Sequence, residues 1–287
     1  IWRHPVAWSA IPKNINPASG FVFNANNTPY LSAGPGSEID PRGFAPELGI
    51  ETDVTNRTRR AERLLSAAHP LNRAALEQIK YDTAYERAGA VKWMFDVIAS
   101  LNLAHEPELK RAQDLLRQWD WNADGKGAAD TLAIMVINDA TSAAYNHRRP
   151  KDPHDLLAQS VAHLMKWFGR IDPPLLEAQR LRQGKVDLPM DGGGDTLRAA
   201  TSYNIDPNDG HLLTKHGDSF VMFVEWAKGA PVRSQSIVPF GAATTRPDSP
   251  HYADQAALFV HHQLKPVHFD PADVARHAAS REVVRSN

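Results

Sequence analysis

The sequence predicts an α+β fold, in which a large helical block lies between short β segments. Three observations predict it. Residues 1–54 are rich in Pro, Gly and Asn and carry short apolar alternations. Residues 55–183 repeat apolar residues at three- and four-residue spacing. Residues 184–287 return to turn clusters around short β-type runs, then close on a final helix. These three segments are read as parts of one incomplete domain assembly.

Gly20-Phe21-Val22-Phe23 reads as a strand, entered from the Asn16–Gly20 turn and ended by Asn24 to Pro29. Residues 31–54 read as an irregular loop. Thr55 is suited to cap a helix carrying Ala61, Leu64, Leu65 and Ala68. Asn72 caps a second, with Leu76 and Ile79. A third spans Tyr85 to Leu101, where Val91, Phe95, Ile98 and Leu101 form one apolar stripe. A fourth follows Pro107, a fifth follows Gly127, a sixth covers His154 to Phe168, and a short piece follows Pro173. Lengths vary without a fixed period, which argues against a repeat solenoid. Residues Ser219 to Trp226 and Val232 to Phe240 read as a hairpin around Gly229. A helix over Asp254 to His262 and a helical or frayed tail from Asp270 complete the chain.

Composition narrows the function classes. Hydrophobic residues make up 42% and charged residues 23%, enough to build a core. With 32 basic and 33 acidic residues, nothing favours nucleic acid or an anionic membrane. No apolar run approaches the roughly 20 residues of a membrane span. The chain has no Cys, which excludes disulfides, thiolate nucleophiles and Cys-based metal sites. Ile1 in place of Met predicts a chain that begins after processing or within a longer polypeptide.

Five ordered segments resemble the penicillin acylase family of N-terminal-nucleophile hydrolases, which includes acyl-homoserine-lactone and lipopeptide acylases. They are Asn16 to Pro29, Thr55 to Leu65, Gln118-Trp119-Asp120, Leu188 to Asp195, and Ser249 to Gln255 with Leu264 to Val267. The match covers the C-terminal part of that family's β subunit. It implies part of a four-layer αββα fold and hydrolysis of a linear amide. The nucleophile of the family is a Ser at a chain N-terminus freed by self-cleavage, with its own α-amine as base. Ile1 has no nucleophilic group, so the resemblance predicts a chain that is inactive alone. It implies the α subunit and the N-terminal part of β as partners, a small amide substrate, and a periplasmic or secreted bacterial location. The acyl group could be aromatic or aliphatic, and the sequence does not choose between them.

Two catalytic positions carry over. Asn26 matches the residue whose side-chain amide donates to the oxyanion, a neutral donor that cannot titrate away. Its plain alternative is a turn Asn. Arg57 matches an arginine that orients that Asn, offering fixed planar donors. Its alternatives are a solvated first-turn Arg, or an assignment one turn on at Arg60. Asn24 and Asn27 read as structural.

The metal readings stay weak. Asp120 to Gly125 matches half of a calcium loop, but Thr131 stands where a bidentate Glu is needed, so a turn is the better reading. The family implies a calcium site near its subunit junction, with Glu38 or Asp40 in its neighbourhood. No residue is assigned as a metal ligand and no cofactor is expected in this chain. Gly192-Gly193-Gly194 lacks a phosphate-loop context and reads as close backbone packing. The histidines show no His-x-x-x-His pair on a helix. The sequons at Asn26 and Asn56 are short and common by chance. Against the enzyme reading stands a non-catalytic helical binding or scaffold module. The enzyme reading expects exposed apolar strand surface, which the module does not.

Overall fold

In the computed structural model, which describes residues 5–68 and 70–283, the helical block is organised around one helix that is buried on nearly every side. Ile1 lies outside the described residues. The helices are α1 (Asn56–Ala67), α2 (Arg73–Lys80), α3 (Gly89–Ser100), α4 (Pro107–Arg117), α5 (Asp130–Tyr145), α6 (Pro153–Phe168) and α7 (Leu175–Ala178). Leu132, Ala133, Ile134, Val136 and Ile137 of α5 are fully buried. Its apolar residues are spread around the helix, and α3, α4, α6 and α7 all pack on α5.

The predicted caps hold. Thr55 accepts from the Thr58 backbone N–H, and Thr58 returns the bond to the Thr55 N–H, a reciprocal capping box. Asn72 caps α2 through the Ala75 N–H at 3.0 Å. Asp152, not among the expected caps, starts α6 by accepting from His154 and Asp155. Helix α3 starts at Gly89, later than the expected start near Tyr85. The residues before it are spent elsewhere: Tyr85 N–H donates to Trp121 O at 2.8 Å, and Ala123 N–H to Thr83 O at 3.1 Å. This bridge brings Tyr85, Phe95, Trp119 and Trp121 into one aromatic cluster with centroids 5.0 to 5.6 Å apart.

The expected strand over residues 20–23 is absent. That stretch is extended but joins no ladder among the described residues; Phe23 N–H donates to Ser32 O at 2.8 Å, and its other bonds, Gly20 N–H to Pro17 O and Ser19 Oγ to Phe21 O, are local. Backbone donors without a neighbouring strand cannot form a sheet.

The later part of the chain carries β1 (Gln179–Gln183), β2 (Val186–Pro189), β3 (Ala200–Thr201), β4 (Asn204–Ile205), β5 (Leu212–Leu213), β6 (His216–Gly217), β7 (Val221–Glu225), β8 (Arg233–Ile237) and β9 (Lys265–Pro266). Two further helices are α8 (Ala256–Val260) and α9 (Pro271–His277). The chain divides into two compact units. One runs up to Arg182 and resumes over Pro189–Gly217; the other takes Gln183–Leu188 and the chain from Asp218.

In the first unit, β1 runs parallel to β5, β4 runs antiparallel to β5, and β3 pairs antiparallel with β6. In the second, β7 and β8 form the predicted hairpin, and β9 joins the far edge of β8. The architecture is α+β as predicted. Along β7 and the residue on each side of it, the odd-numbered Val221 and Phe223 are buried. The even-numbered Phe220, Met222, Val224 and Trp226 are exposed, Trp226 at 74%. Period-2 alternation should put polar residues on that face. It carries apolar ones, the exposed strand surface that the enzyme reading expects.

The glycine run owes its composition to packing. A Cβ on Gly193 would lie 2.3 Å from Tyr85 Oη and 2.6 Å from Ile134 Cδ1. One on Gly192, whose φ is +85°, would lie 2.2 Å from Arg198 O. Burial in the same region drives the Tyr85 phenol well above its ordinary pKa, and the Asp195 charge adds to that rise.

Candidate active site

The site is built where the N-terminal loop meets the start of α1. Thr28 N–H donates to Asp53 O at 3.1 Å, tying the Asn-rich loop to the residues just ahead of α1. Within the loop the asparagines divide their work. Asn27 is buried; its Oδ1 accepts from Ala25 N–H at 2.7 Å, and its Nδ2 donates to the Thr28 and Leu31 carbonyls. Asn24 Oδ1 accepts from Asn26 N–H at 2.8 Å. Both side chains are consumed in shaping the turn. Asn26 has a left-handed backbone, φ 57°, and an exposed side chain. Its amide has no protein hydrogen-bond partner among the described residues. Asn is among the few residues that tolerate that conformation.

Asp195 fixes the start of α1. Its carboxylate accepts from Asn56 N–H at 2.7 Å and from Arg57 N–H at 3.3 Å. With Thr58 N–H bonded to Thr55 Oγ1, the first three orphan donors of the helix are satisfied. The same carboxylate accepts from Arg57 Nε at 3.3 Å, with both side chains largely shielded from solvent. Asn56 locks the arrangement, donating to Asp195 O at 2.8 Å and accepting from Glu86 N–H at 2.7 Å. Asp195 itself sits at φ 68° directly after the glycine run.

Asn26, Arg57 and Asp195 line one cleft of about 750 Å³, together with Tyr203, His216 and Val91. Polar groups stand on the loop and α1 side, and Ala88, Ala90, Val91 and Tyr145 add apolar lining. Such a cleft has the makeup of a small-molecule site. Burial pushes the Tyr203 phenol up, while Thr141 hydrogen-bonds to it.

Arg57 and Arg60 part company. Arg60 is buried in ion pairs with Asp82 and Glu86 and lies outside the cleft lining. Arg59 donates to Val54 O at 2.8 Å and serves the loop backbone. Arg57 shares the cleft with Asn26, and among the described residues its hydrogen-bond partner is Asp195.

The other candidates are engaged elsewhere. Glu38 accepts from the Ser32 and Ala33 N–H groups, and Asp40 pairs with Arg42 at 2.7 Å on the surface. Asp124 pairs with Lys126 at 2.7 Å. The turn after Asp120 is organised from inside by Asp130, which accepts from Gly125 N–H, Gly127 N–H and Trp119 Nε1. Asp195 was missed as a site residue. Its position after Gly194 marks a turn, but no local pattern shows that the turn reaches α1.

An α+β chain with an amide donor and a clamped arginine on one cleft is compatible with acyl-transfer chemistry. The chain belongs to the penicillin amidase family, whose model matches residues 1–276. Among solved structures, a thermostable penicillin G acylase from Alcaligenes faecalis is similar at 15% identity, with a TM-score of 0.48. That alignment covers 98% of this chain and 60% of that one, so this chain spans less than two thirds of its length.

Proposed function

We propose that this chain is the oxyanion-side part of an amidohydrolase that cleaves a linear amide into a carboxylic acid and an amine. The acyl group belongs to a β-lactam, an acyl-homoserine lactone or a lipopeptide. The observation that carries the reading is the placement of Asn26 and Arg57 on one cleft, in a chain of this family. In the proposed reaction an N-terminal Ser, supplied from outside these 287 residues, attacks the amide carbonyl, and its α-amine takes the proton. The amide of Asn26 donates to the oxyanion as charge develops there. Arg57, held by Asp195 on the same cleft, would orient Asn26 once the remaining segments complete the site; the two side chains are not hydrogen-bonded to each other in this chain.

The chain would supply part of a four-layer αββα fold and act with the remaining segments of its precursor. The exposed apolar stripe Phe220, Met222, Val224 and Trp226 supports such partners. A periplasmic or secreted location accords with the family. No helix of the described residues is long and apolar enough to cross a membrane.

The test is Asn26→Gly in the full-length precursor. Glycine removes the amide and keeps the left-handed backbone. Normal self-cleavage with amide hydrolysis reduced by about 10² to 10³ supports the assignment. Normal processing with wild-type turnover would overturn it.

A further inference from the structure

Away from the cleft, in the second unit, three potential ligands converge. Asp270 caps α9, accepting from Ala272 and Asp273 N–H at 3.0 Å, with Pro271 at the first helical position. This fixes the register so that Asp273 and His277 fall one turn apart on one helix face. His268 comes from the segment after β9, and its ring stacks on that of His277 with centroids 3.9 Å apart. His277 Nδ1 is hydrogen-bonded to the Asp273 backbone carbonyl at 2.9 Å. His268 Nδ1 is hydrogen-bonded to Asp273 Oδ2, and His277 Nδ1 lies 3.4 Å from Asp273 Oδ1. The ligand atoms of all three residues lie within 4.8 Å of one another.

We propose that His268, Asp273 and His277 bind a divalent transition-metal ion of the zinc class. Two imidazoles and one carboxylate select such an ion over calcium or magnesium, which prefer oxygen shells. Metal–ligand distances of about 2.0 to 2.2 Å bring neighbouring ligand atoms of a tetrahedral shell to about 3.4 Å, inside the span these residues already define. Arg276 also reaches Asp273 Oδ1, at 3.0 Å, and must leave for the metal to enter; the two rings must also turn out of their stack, and His277 Nδ1 off the Asp273 carbonyl, so that each in-plane lone pair meets the ion. Its side chain is 67% exposed, so it can turn into solvent. Three protein ligands leave a fourth position open. Both histidines line a cavity of about 450 Å³, with Phe220, Met222, Lys265 and Val274. A small anionic or imidazole-type ligand could complete the shell there. The reading is independent of the amidase assignment.

The second cluster, Asp152, His154 and Asp155, serves as a control. Asp152 is spent capping α6, and His154 is hydrogen-bonded to Glu106 at 3.0 Å.

The experiment is calorimetric titration of the chelator-stripped full chain with zinc chloride, with calcium chloride in parallel. Co²⁺ loading gives a second readout in its visible d–d bands. Expected are saturation at one equivalent of zinc, no saturable calcium response at these residues, and visible Co²⁺ bands. His277→Ala and Asp273→Asn should each weaken zinc at least tenfold and abolish the bands, while His154→Ala leaves both unchanged. His277 is exposed at the end of its helix, and circular dichroism checks that its variant folds. Absence of saturable zinc binding, or wild-type affinity in both His277→Ala and Asp273→Asn, would overturn the proposal.

Discussion

Asp195 Oδ1 accepts from Arg57 Nε at 3.3 Å, and the same carboxylate receives the first two N–H groups of α1. One acid therefore fixes both the direction of a cleft-lining guanidinium and the end of the helix that carries it. A carboxylate at a helix N-terminus is also favoured by the helix dipole.

Replacing Asp195 by Ala should remove a cap and a charge partner together. A loss of about 1 to 2 kcal/mol in urea unfolding is expected, typical of a lost cap acceptor. Asp195→Asn keeps one acceptor oxygen and should lose less. Unchanged midpoints for both variants would show that the clamp contributes nothing to stability.

Asn26 allows stability and catalysis to be separated. Its φ of 57° disfavours Ala by roughly 1 kcal/mol, whereas Gly adopts it freely. Asn26→Ala and Asn26→Gly should lose turnover alike in the processed enzyme, and only the Ala variant should lower the unfolding midpoint. Equal midpoints would show that the loop relaxes out of that conformation.

Gly193→Ala should cost about 1 to 3 kcal/mol, because its new methyl meets Tyr85 Oη and Ile134 Cδ1 at closer than contact distance. Tyr85→Phe alone loses the bond to Gly194 O at 2.6 Å. In the double variant the missing hydroxyl makes room for the methyl. The two losses should therefore sum to more than the measured effect, and a double-mutant cycle reads the difference. Strict additivity would refute the packing account.

Asp130 should leave a mark on pH dependence. Burial is the main reason its carboxyl is pushed up to about 6, and Asp120 and Asp124 add to the rise against its own N–H bonds. The folded state therefore binds the proton more tightly than the unfolded state. Its contribution to stability is complete below about pH 4 and is lost as pH rises through 6. Unfolding of wild type and Asp130→Asn, compared across pH 4 to 7, should show the wild-type advantage shrinking with rising pH. An advantage that grows over that range would contradict this.

The helices were legible because their signals are local. Thr55, Asn72 and Pro107 mark starts, and apolar spacing fixes the buried faces. The hairpin was legible from Gly229 between two β-type runs. The strand over residues 20–23 was misjudged because alternation reports suitability for a sheet, while a strand needs a neighbour. Asn26 and Arg57 were singled out by resemblance; chemically each also fits a turn or a solvated helix end. Asp273 and His277 do not stand out in the sequence, because an acid and a histidine one turn apart are an ordinary helix-surface pair and His268 lies outside the helix. Asp195 escaped for a different reason, since its partners are distant in the chain.

That distance has a consequence for the order in which the molecule assembles. Asn56 and Asp195 are 139 positions apart, and their bonds close the rim of the cleft. Closing so long a loop costs roughly 2 kcal/mol more than closing one a tenth as long. Helices α1 to α6 can form and collapse on local contacts before that closure. The cleft is thus a late product of folding, and amide hydrogens at the start of α1 should exchange with solvent sooner than those in the middle of α5.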